Sequence, residues 1–372
     1  MLDEIIPVES DTKCAKNCRD LGTSCTWFSF NAKDQFCMLY STCPSLNEES
    51  VDFISSQREC SQANAYSKIL IFGGFPLDTS TDLEVIDLET KDTCVDRGNF
   101  DLPYAFNGFG GLLNGHLVIY CGGFYNTQDH PNADCFVSDL NNNEGWWPYQ
   151  YLLNYPRVSA ASVVINETIL FISGGTINGS LSNTTEFVTL DGSTLGHQIP
   201  IALENHCMVK FNDSLVAIIG GPTPYQNQLY FLDLNTMKWT TKPDLYSNIE
   251  LFGCSIFYFK ENPFIMVAGG EFNGFVYNSV DIFDVAKNVW FEGPTLPRNS
   301  FGLRLVPTPD NQGVIAMAGR EYDEGAYQNN VWEFRCQSTL SDCDWTQLSF
   351  QLKISRNLFV ALPVNHPTFT CN

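Results

Sequence analysis

Pro263-Phe264-Ile265-Met266-Val267-Ala268-Gly269-Gly270, then Val276 to Asp284, then Val289-Trp290-Phe291-Glu292, is the stretch that decides how this chain folds. It reads as three successive strands, and Phe252 to Phe259 before it supplies a fourth. The second strand ends in a glycine doublet because the chain turns there with little room for a Cβ and with φ free to be positive. The third ends in Asp284, whose carboxylate is suited to capping the N–H groups of a turn. Working outward, the doublet recurs as Gly73-Gly74, Gly122-Gly123, Gly174-Gly175, Gly220-Gly221 and, after Gly269-Gly270, as Ala318-Gly319. The separations of about 46 to 52 residues match the period of a four-stranded propeller blade. The sequence therefore predicts a mainly β chain whose residues 68–364 form a six-bladed β-propeller.

The acid at the end of the third strand recurs as Asp87, Asp139, Asp191, Asp233 and Asp284. Six or seven residues later an aromatic marks the outer strand: Trp146, Trp239 and Trp290, with Trp345 in the last blade. Cys94 takes that place in the first blade, and the third blade has no aromatic there. Gly-Gly, an acid and Trp in this order resemble the kelch repeat, which implies binding through the loops at the rims of the ring. The ring also has to close. Lys68 to Phe72 lacks a preceding inner strand, and Arg356 to Leu362 lacks a following doublet. The latter resembles the start of other repeats, Arg157-Val158-Ser159-Ala160 and Arg298-Asn299-Ser300-Phe301. Residues 357–364 are thus expected to form the innermost strand of the first blade, leaving no open edge at the seam. Residues 365–372 remain as a tail.

The chain carries 42 acidic against 20 basic residues, a net charge of −22. That excludes the basic patches wanted by nucleic acid and anionic lipid, and it favours solubility. Fourteen cysteines without Cys-x2-Cys or Cys/His ligand spacing read as disulfides rather than metal sites. Sequons stand at Asn166, Asn178, Asn183 and Asn212, Asn178 and Asn183 on one polar loop. Disulfides and sequons together point to a secreted, extracellular glycoprotein. Residues 1–13 lack the apolar core of a signal peptide, so a mature form is expected. No apolar run approaches the length of a membrane span.

Six cysteines crowd the first sixty residues, at 14, 18, 25, 37, 43 and 60, as suits a segment too short to build its own core. Cys14 to Cys18 reads as a short helix, and Cys25 to Phe30 and Cys37 to Tyr40 as strands. The pattern Cys-x3-Cys-x6-Cys-x2-Phe-Ser-Phe-x6-Cys-x-Leu resembles the PAN/apple domain, a small α+β extracellular binding module. With the propeller behind it, the whole resembles secreted apple/kelch proteins of the invertebrate type. The domain is placed at residues 1–60, the resemblance covers about residues 5–60, and it implies the pairs Cys14–Cys37 and Cys18–Cys25. Because the family's early clasping cysteine is missing, it leaves Cys43 for Cys60. Residues 61–67 read as a polar linker. In the propeller, Cys336 and Cys343 flank a short turn, Cys121 and Cys135 lie on successive strands, and Cys207 and Cys254 occupy like positions in neighbouring blades. Cys94 and Cys371 would then pair, and the partners of these last two pairs remain exchangeable.

Catalytic patterns are scarce. Copper-radical oxidases share this architecture, but as a family they need a Tyr-His step, and none of His116, His130, His197, His206 and His366 follows a tyrosine. Of these, only His206, beside Cys207 on a first strand, is placed to face the channel. Gly108-Phe109-Gly110-Gly111 reads as an inner strand rather than a phosphate loop. Asp139 to Gly145 reads as a polar turn rather than a calcium loop, since no closing Glu follows. Trp146-Trp147-Pro148-Tyr149 reads as blade core. No cofactor, metal or enzymatic activity is expected. The candidate binding residues are the loop aromatics and amides Tyr125, Tyr225, Asn227, Phe272, Phe275, Tyr277, Tyr322 and Tyr327, which combine rigid contact area with adaptable hydrogen bonding. The reading is a secreted, non-catalytic binder of an extracellular protein or glycan. Its alternatives are a self-assembling matrix or coat component, and a carrier of a small apolar lipid or pigment.

Overall fold

The computed structural model describes residues 2–7, 27–31, 36–40, 66–76, 82–96, 102, 107–124, 130–142, 145–212, 214–221, 227–322 and 326–366. The chain divides into two compact units, Met1–Ala65 and Tyr66–Asn372. In the first, strands Leu2–Pro7, Phe36–Tyr40 and Trp27–Asn31 pair antiparallel in that order. The helix expected at Cys14 to Cys18, and all three disulfides implied for this unit, lie outside the described residues.

The second unit is a ring of six four-stranded antiparallel sheets. From the axis outward, blade I contains Val360–Val364, Lys68–Phe72, Leu83–Asp87 and Asp92–Asp96, and blade II contains Phe109–Leu113, Leu117–Cys121, Cys135–Asp139 and Trp147–Pro148. Blade III contains Ala161–Ile165, Ile169–Ser173, Thr185–Thr189 and Gly192–Leu195. Blade IV contains Cys207–Asn212, Leu215–Ile219, Leu229–Asp233 and Lys238–Lys242. Blade V contains Gly253–Phe259, Asn262–Ala268, Val280–Asp284 and Val289–Glu292, and blade VI contains Arg304–Pro307, Gly313–Arg320, Tyr327–Arg335 and Asp344–Gln351. The second strand of blade I, Lys68–Phe72, is buried along its whole length and those of the other blades at all but one or two end residues, because both faces of each blade meet a neighbour.

The apolar cores lie between blades rather than within them. Each of the six clusters joins one blade to the next, and the last joins Val306, Ile315 and Met317 of blade VI to Ile69, Ile71 and Phe359 of blade I. The seam closes as the sequence required: Val360–Val364 pairs with Lys68–Phe72 from Val360↔Phe72 to Val364↔Lys68. Tyr66 and Ser67, read as linker, belong to blade I. Tyr66 is buried and donates its hydroxyl to the Pro307 carbonyl, and Ser67 N–H bonds the Val364 carbonyl at 3.3 Å.

The doublets behave as their composition demands. All twelve positions have positive φ, including Ala318 at 54°. Gly175, Gly270 and Gly319 each donate an N–H to a carbonyl at the entry of the next blade, those of Leu203, Ser300 and Arg356. The outer tryptophans stitch the same junctions: Trp239, Trp290 and Trp345 donate Nε1–H to the carbonyls of Gln198, Pro243 and Pro294 on the segment leaving the preceding blade. Asp87, Asp139, Asp233 and Asp284 accept turn N–H groups as anticipated.

Two expectations need correction. In blade III the strand ends at Thr189, whose Oγ1 accepts the Asp191 N–H at 3.2 Å. A threonine has replaced the capping acid, and Asp191 sits two residues late and exposed. In blade II, Trp146 packs on Phe72 with ring centroids 5.4 Å apart, but Trp147 is 37% exposed. Adjacent strand residues face opposite sides, so both indoles cannot enter one core.

Candidate binding surfaces

An antiparallel blade returns the chain to the same face at every second turn. The second-to-third-strand loops and the blade entries therefore share one rim, here called the upper rim. Buried arginines hold two of those entries. Arg157 donates to the carbonyls of Gly174 (2.7 Å) and Thr184 (3.2 Å), to Thr184 Oγ1 (3.1 Å) and to Glu186 Oε1 (2.5 Å). Arg356 repeats the pattern with the Gly73 carbonyl (3.2 Å) and Glu84 Oε2 (3.5 Å). All four charged side chains are fully buried. Arg298, which the sequence grouped with them, is exposed.

Above this base, blades III and V extend their loops as small hairpins, Thr176–Ile177 with Ser180–Leu181 and Glu271–Phe272 with Phe275–Val276. The expected binding residues fall into three groups. Phe275 (69%), Tyr322 (44%) and Tyr277 (36%) are exposed, and Phe272 and Asn227 are half-buried. Tyr327 is a strand residue of blade VI rather than a loop residue, carrying Arg320 over its ring at 5.0 Å. Tyr125 and Tyr225 lie outside the described residues.

The structure adds carboxylates that the sequence did not single out. Glu250 and Glu271 exchange backbone hydrogen bonds of 3.0 and 2.9 Å. Glu271 accepts the Tyr322 hydroxyl, and Tyr322 stacks on Phe301 at 4.8 Å. Glu204 accepts the Thr176 hydroxyl, and Glu250 accepts Asn205 Nδ2 at 3.2 Å. Burial raises the Glu250 carboxyl above the usual range; the Asn205 bond opposes this, and the charges of Glu271 and Glu204 add to it. The result is an acidic and aromatic arc over blades III to VI. Glu204 and Glu250 stand one repeat apart, 46 residues, at equivalent blade entries, but Thr176, Glu271 and Tyr322 beside them come from other positions of other repeats, and the sequence reading did not single the carboxylates out.

At the axis lies a cavity of about 210 Å³, lined by the first residues of all six inner strands and by His206. His206 is 7% exposed, its Nε2 lies 2.8 Å from Ser173 Oγ, and burial lowers its pKa to about 3. It is the one histidine among the cavity-lining residues. Lipid- or drug-sized ligands occupy about 300–1,000 Å³, so this space is too small for the lipid or pigment of the carrier reading. Among the described residues no three His, Cys, Asp or Glu side chains are placed to hold a metal. The Asp139 turn is closed by its own carboxylate, which takes Asn141 N–H at 2.9 Å and Asn142 Nδ2 at 3.1 Å.

Disulfides join Cys121 to Cys135 across adjacent strands, Cys207 to Cys254 between the inner strands of blades IV and V, and Cys336 to Cys343 across the turn in blade VI. Cys94 is also disulfide-bonded, and Cys371, its expected partner, lies outside the described residues. Asn166, Asn178 and Asn212 are exposed, whereas Asn183 is half-buried with Nδ2 3.5 Å from Gln198 Oε1. No helix among the described residues is long and apolar enough to cross a membrane.

Known proteins place this geometry in a class. The kelch repeat and BTB domain-containing protein 1 of camelpox virus is 23% identical over 286 residues, covering 71% of this chain and 48% of its own. Its horsepox and vaccinia (Copenhagen) namesakes are 23% and 22% identical over 295 residues, each covering 74% of this chain and 49% of their own. The chain thus spans about half the length of the curated relatives it matches. The solved structure of YjhT superposes with a TM-score of 0.61 at 12% identity, covering 76% of this chain and 97% of that one. No family model matches. The ring from blade I to blade VI is a six-bladed β-propeller similar to those of kelch-repeat proteins.

Proposed function

We propose that this is a secreted, non-catalytic binding protein whose upper rim recognises an extracellular protein or glycan. The arc of Glu204, Glu250 and Glu271 beside exposed Phe275, Tyr277 and Tyr322 carries the reading. Aromatic rings supply contact area at low entropic cost, and the carboxylates favour partners presenting amide and basic groups. Kelch propellers as a class bind proteins, which ranks a protein partner ahead of a glycan. Disulfides within and between the blades and four sequons support an oxidising secretory route. Asn166 and Asn212 sit on first-to-second-strand turns at the opposite rim, where glycans would leave most of the arc uncovered. The apple-like N-terminal unit would add a second surface.

The test compares the wild-type chain with a Phe275→Ser/Tyr322→Ala variant on arrays of extracellular proteins and glycans. Both side chains are exposed, so the variant is expected to fold, with a melting temperature lowered by no more than a few degrees for the lost Tyr322 contacts with Phe301 and Glu271. A partner bound by the wild type and lost by the variant supports the reading. Equal binding by both moves recognition away from this rim and overturns it.

A further inference from the structure

We propose that the axial cavity is a receptor site for a small organic carboxylate, with its charge on Arg304 and its apolar body against the inner-strand wall. The proposal is independent of what the upper rim binds.

Arg304 opens the inner strand of blade VI, at the position that Phe109, Ala161, Cys207, Gly253 and Val360 fill in the other blades. Five blades present an uncharged residue to the axis and one presents a guanidinium. In a chain with 42 acidic residues, none of the residues lining the cavity is Asp or Glu. Nor does Arg304 enter any of the ion pairs found among the described residues. The contrast with the other interior arginines is informative. Arg157 and Arg356 each bury their charge against a glutamate of their own blade, whereas Arg304, among the described residues, has two carbonyls, Phe359 O at 2.5 Å and Leu303 O at 3.4 Å, and the Phe359 ring at 5.9 Å. A guanidinium carries five N–H donors, so most of its capacity is unspent. Burial lowers its pKa to about 10, with Tyr120 the sole opposing influence, and at neutral pH it remains a cation.

Arg304 is half-buried, so its unspent donors are open to the cavity, and a charge without a counter-charge beside it favours an anion there. His206, on the same wall, lies with Nε2 2.8 Å from Ser173 Oγ, and its Nδ1 is buried without a hydrogen-bond partner among the described residues. The cavity thus offers a cation and no counter-charge.

Size and wall chemistry narrow the ligand. Phe109, Met208, Phe252, Leu305 and Val360 stand along a wall that also exposes polar atoms, which suits a guest with an apolar side and a polar side better than a heavily hydrated sulfate or phosphate. An apolar cavity of about 150 Å³ accommodates benzene, so about 210 Å³ has room for a six-membered ring and a carboxylate. The planar fork of arginine matches a carboxylate through two parallel hydrogen bonds.

The test uses the full disulfide-bonded chain and two ring carboxylates, benzoate and cyclohexanecarboxylate, with benzamide as the neutral isostere and sulfate as the hydrated anion. Calorimetry reads affinity, and the methionine methyl carbons read location. Met208 lines the cavity, while Met266 and Met317 are buried elsewhere. The expected result is one site for at least one carboxylate, a selective shift of the Met208 methyl, and binding about tenfold weaker or worse for benzamide and for sulfate. Arg304→Met should lose carboxylate binding by a similar factor while keeping its melting temperature or raising it. The wild-type comparison of benzoate with benzamide decides the matter even if that variant does not fold. No binding of either carboxylate at millimolar concentration, equal binding of acid and amide, or binding that leaves Met208 unmoved would each overturn the proposal.

Discussion

Replacing Arg157 with methionine isolates what a buried ion pair contributes to the base of the upper rim. The side chain lost is fully buried and supplies four hydrogen bonds. Its removal strands the Gly174 carbonyl, leaves the Thr184 carbonyl with the Gly174 N–H at 3.0 Å, and leaves the Glu186 carboxylate without its cation. Breaking a buried pair from one side costs about 3–5 kcal/mol. Glu186 keeps other donors: Asn154 N–H at 2.7 Å, Asn154 Nδ2 at 3.2 Å, Tyr155 N–H at 3.3 Å and Ser193 Oγ at 2.8 Å. The lower end, about 3 kcal/mol, is therefore expected. A domain of about 300 residues has an unfolding entropy of about 0.6 kcal/mol/K, which turns that loss into a drop of about 5 °C in melting temperature. Calorimetry on the oxidised protein measures it. The double variant Arg157→Met/Glu186→Gln removes the stranded charge and should recover at least about 1 kcal/mol of the loss. A shift below about 1 °C, or a double variant no better than the single one, would refute the assignment of the cost to an uncompensated charge.

Glu84 gives a pH signature of the seam. Burial raises its carboxyl from 4.5 to about 7, with Arg356 opposing the rise without cancelling it. The folded state therefore holds a proton that the unfolded chain releases. That stability is complete below pH 4.5 and lost as pH rises through about 7, amounting to about 3 kcal/mol. Glu84→Gln should remove this slope from urea midpoints measured between those limits, and an unchanged slope would assign it to other groups. The doublets offer a sharper steric comparison. Gly174 and Gly179 both have positive φ, 62° and 76°, but a Cβ on Gly174 would lie 2.4 Å from the Leu203 carbonyl oxygen, whereas one on Gly179 meets nothing within 4 Å. Gly179→Ala should cost about 1 kcal/mol, and Gly174→Ala a further 1–3 kcal/mol, approximately the penalty for overpacking. Equal urea midpoints for the two variants would rule out blade-to-blade crowding as the reason for the doublet.

What could be read from the residues alone was whatever a short stretch of chain must satisfy by itself. The doublets announced positive φ, the terminal acids announced capped turns, and an unmatched strand at each end announced the closing pair Val360–Val364 with Lys68–Phe72. Each of those is a local backbone demand repeated in series, and repetition made the signal strong even where Ala318 or Thr189 broke the pattern. Tertiary structure alone decided which of Trp146 and Trp147 is buried, why Arg157 and Arg356 are paired while Arg304 is not, and how Glu204, Glu250 and Glu271 form one arc. These are properties of neighbours supplied by other blades or by distant strands of the same blade. A charge is isolated or compensated only by what the closed ring brings beside it, and no local spacing encodes that.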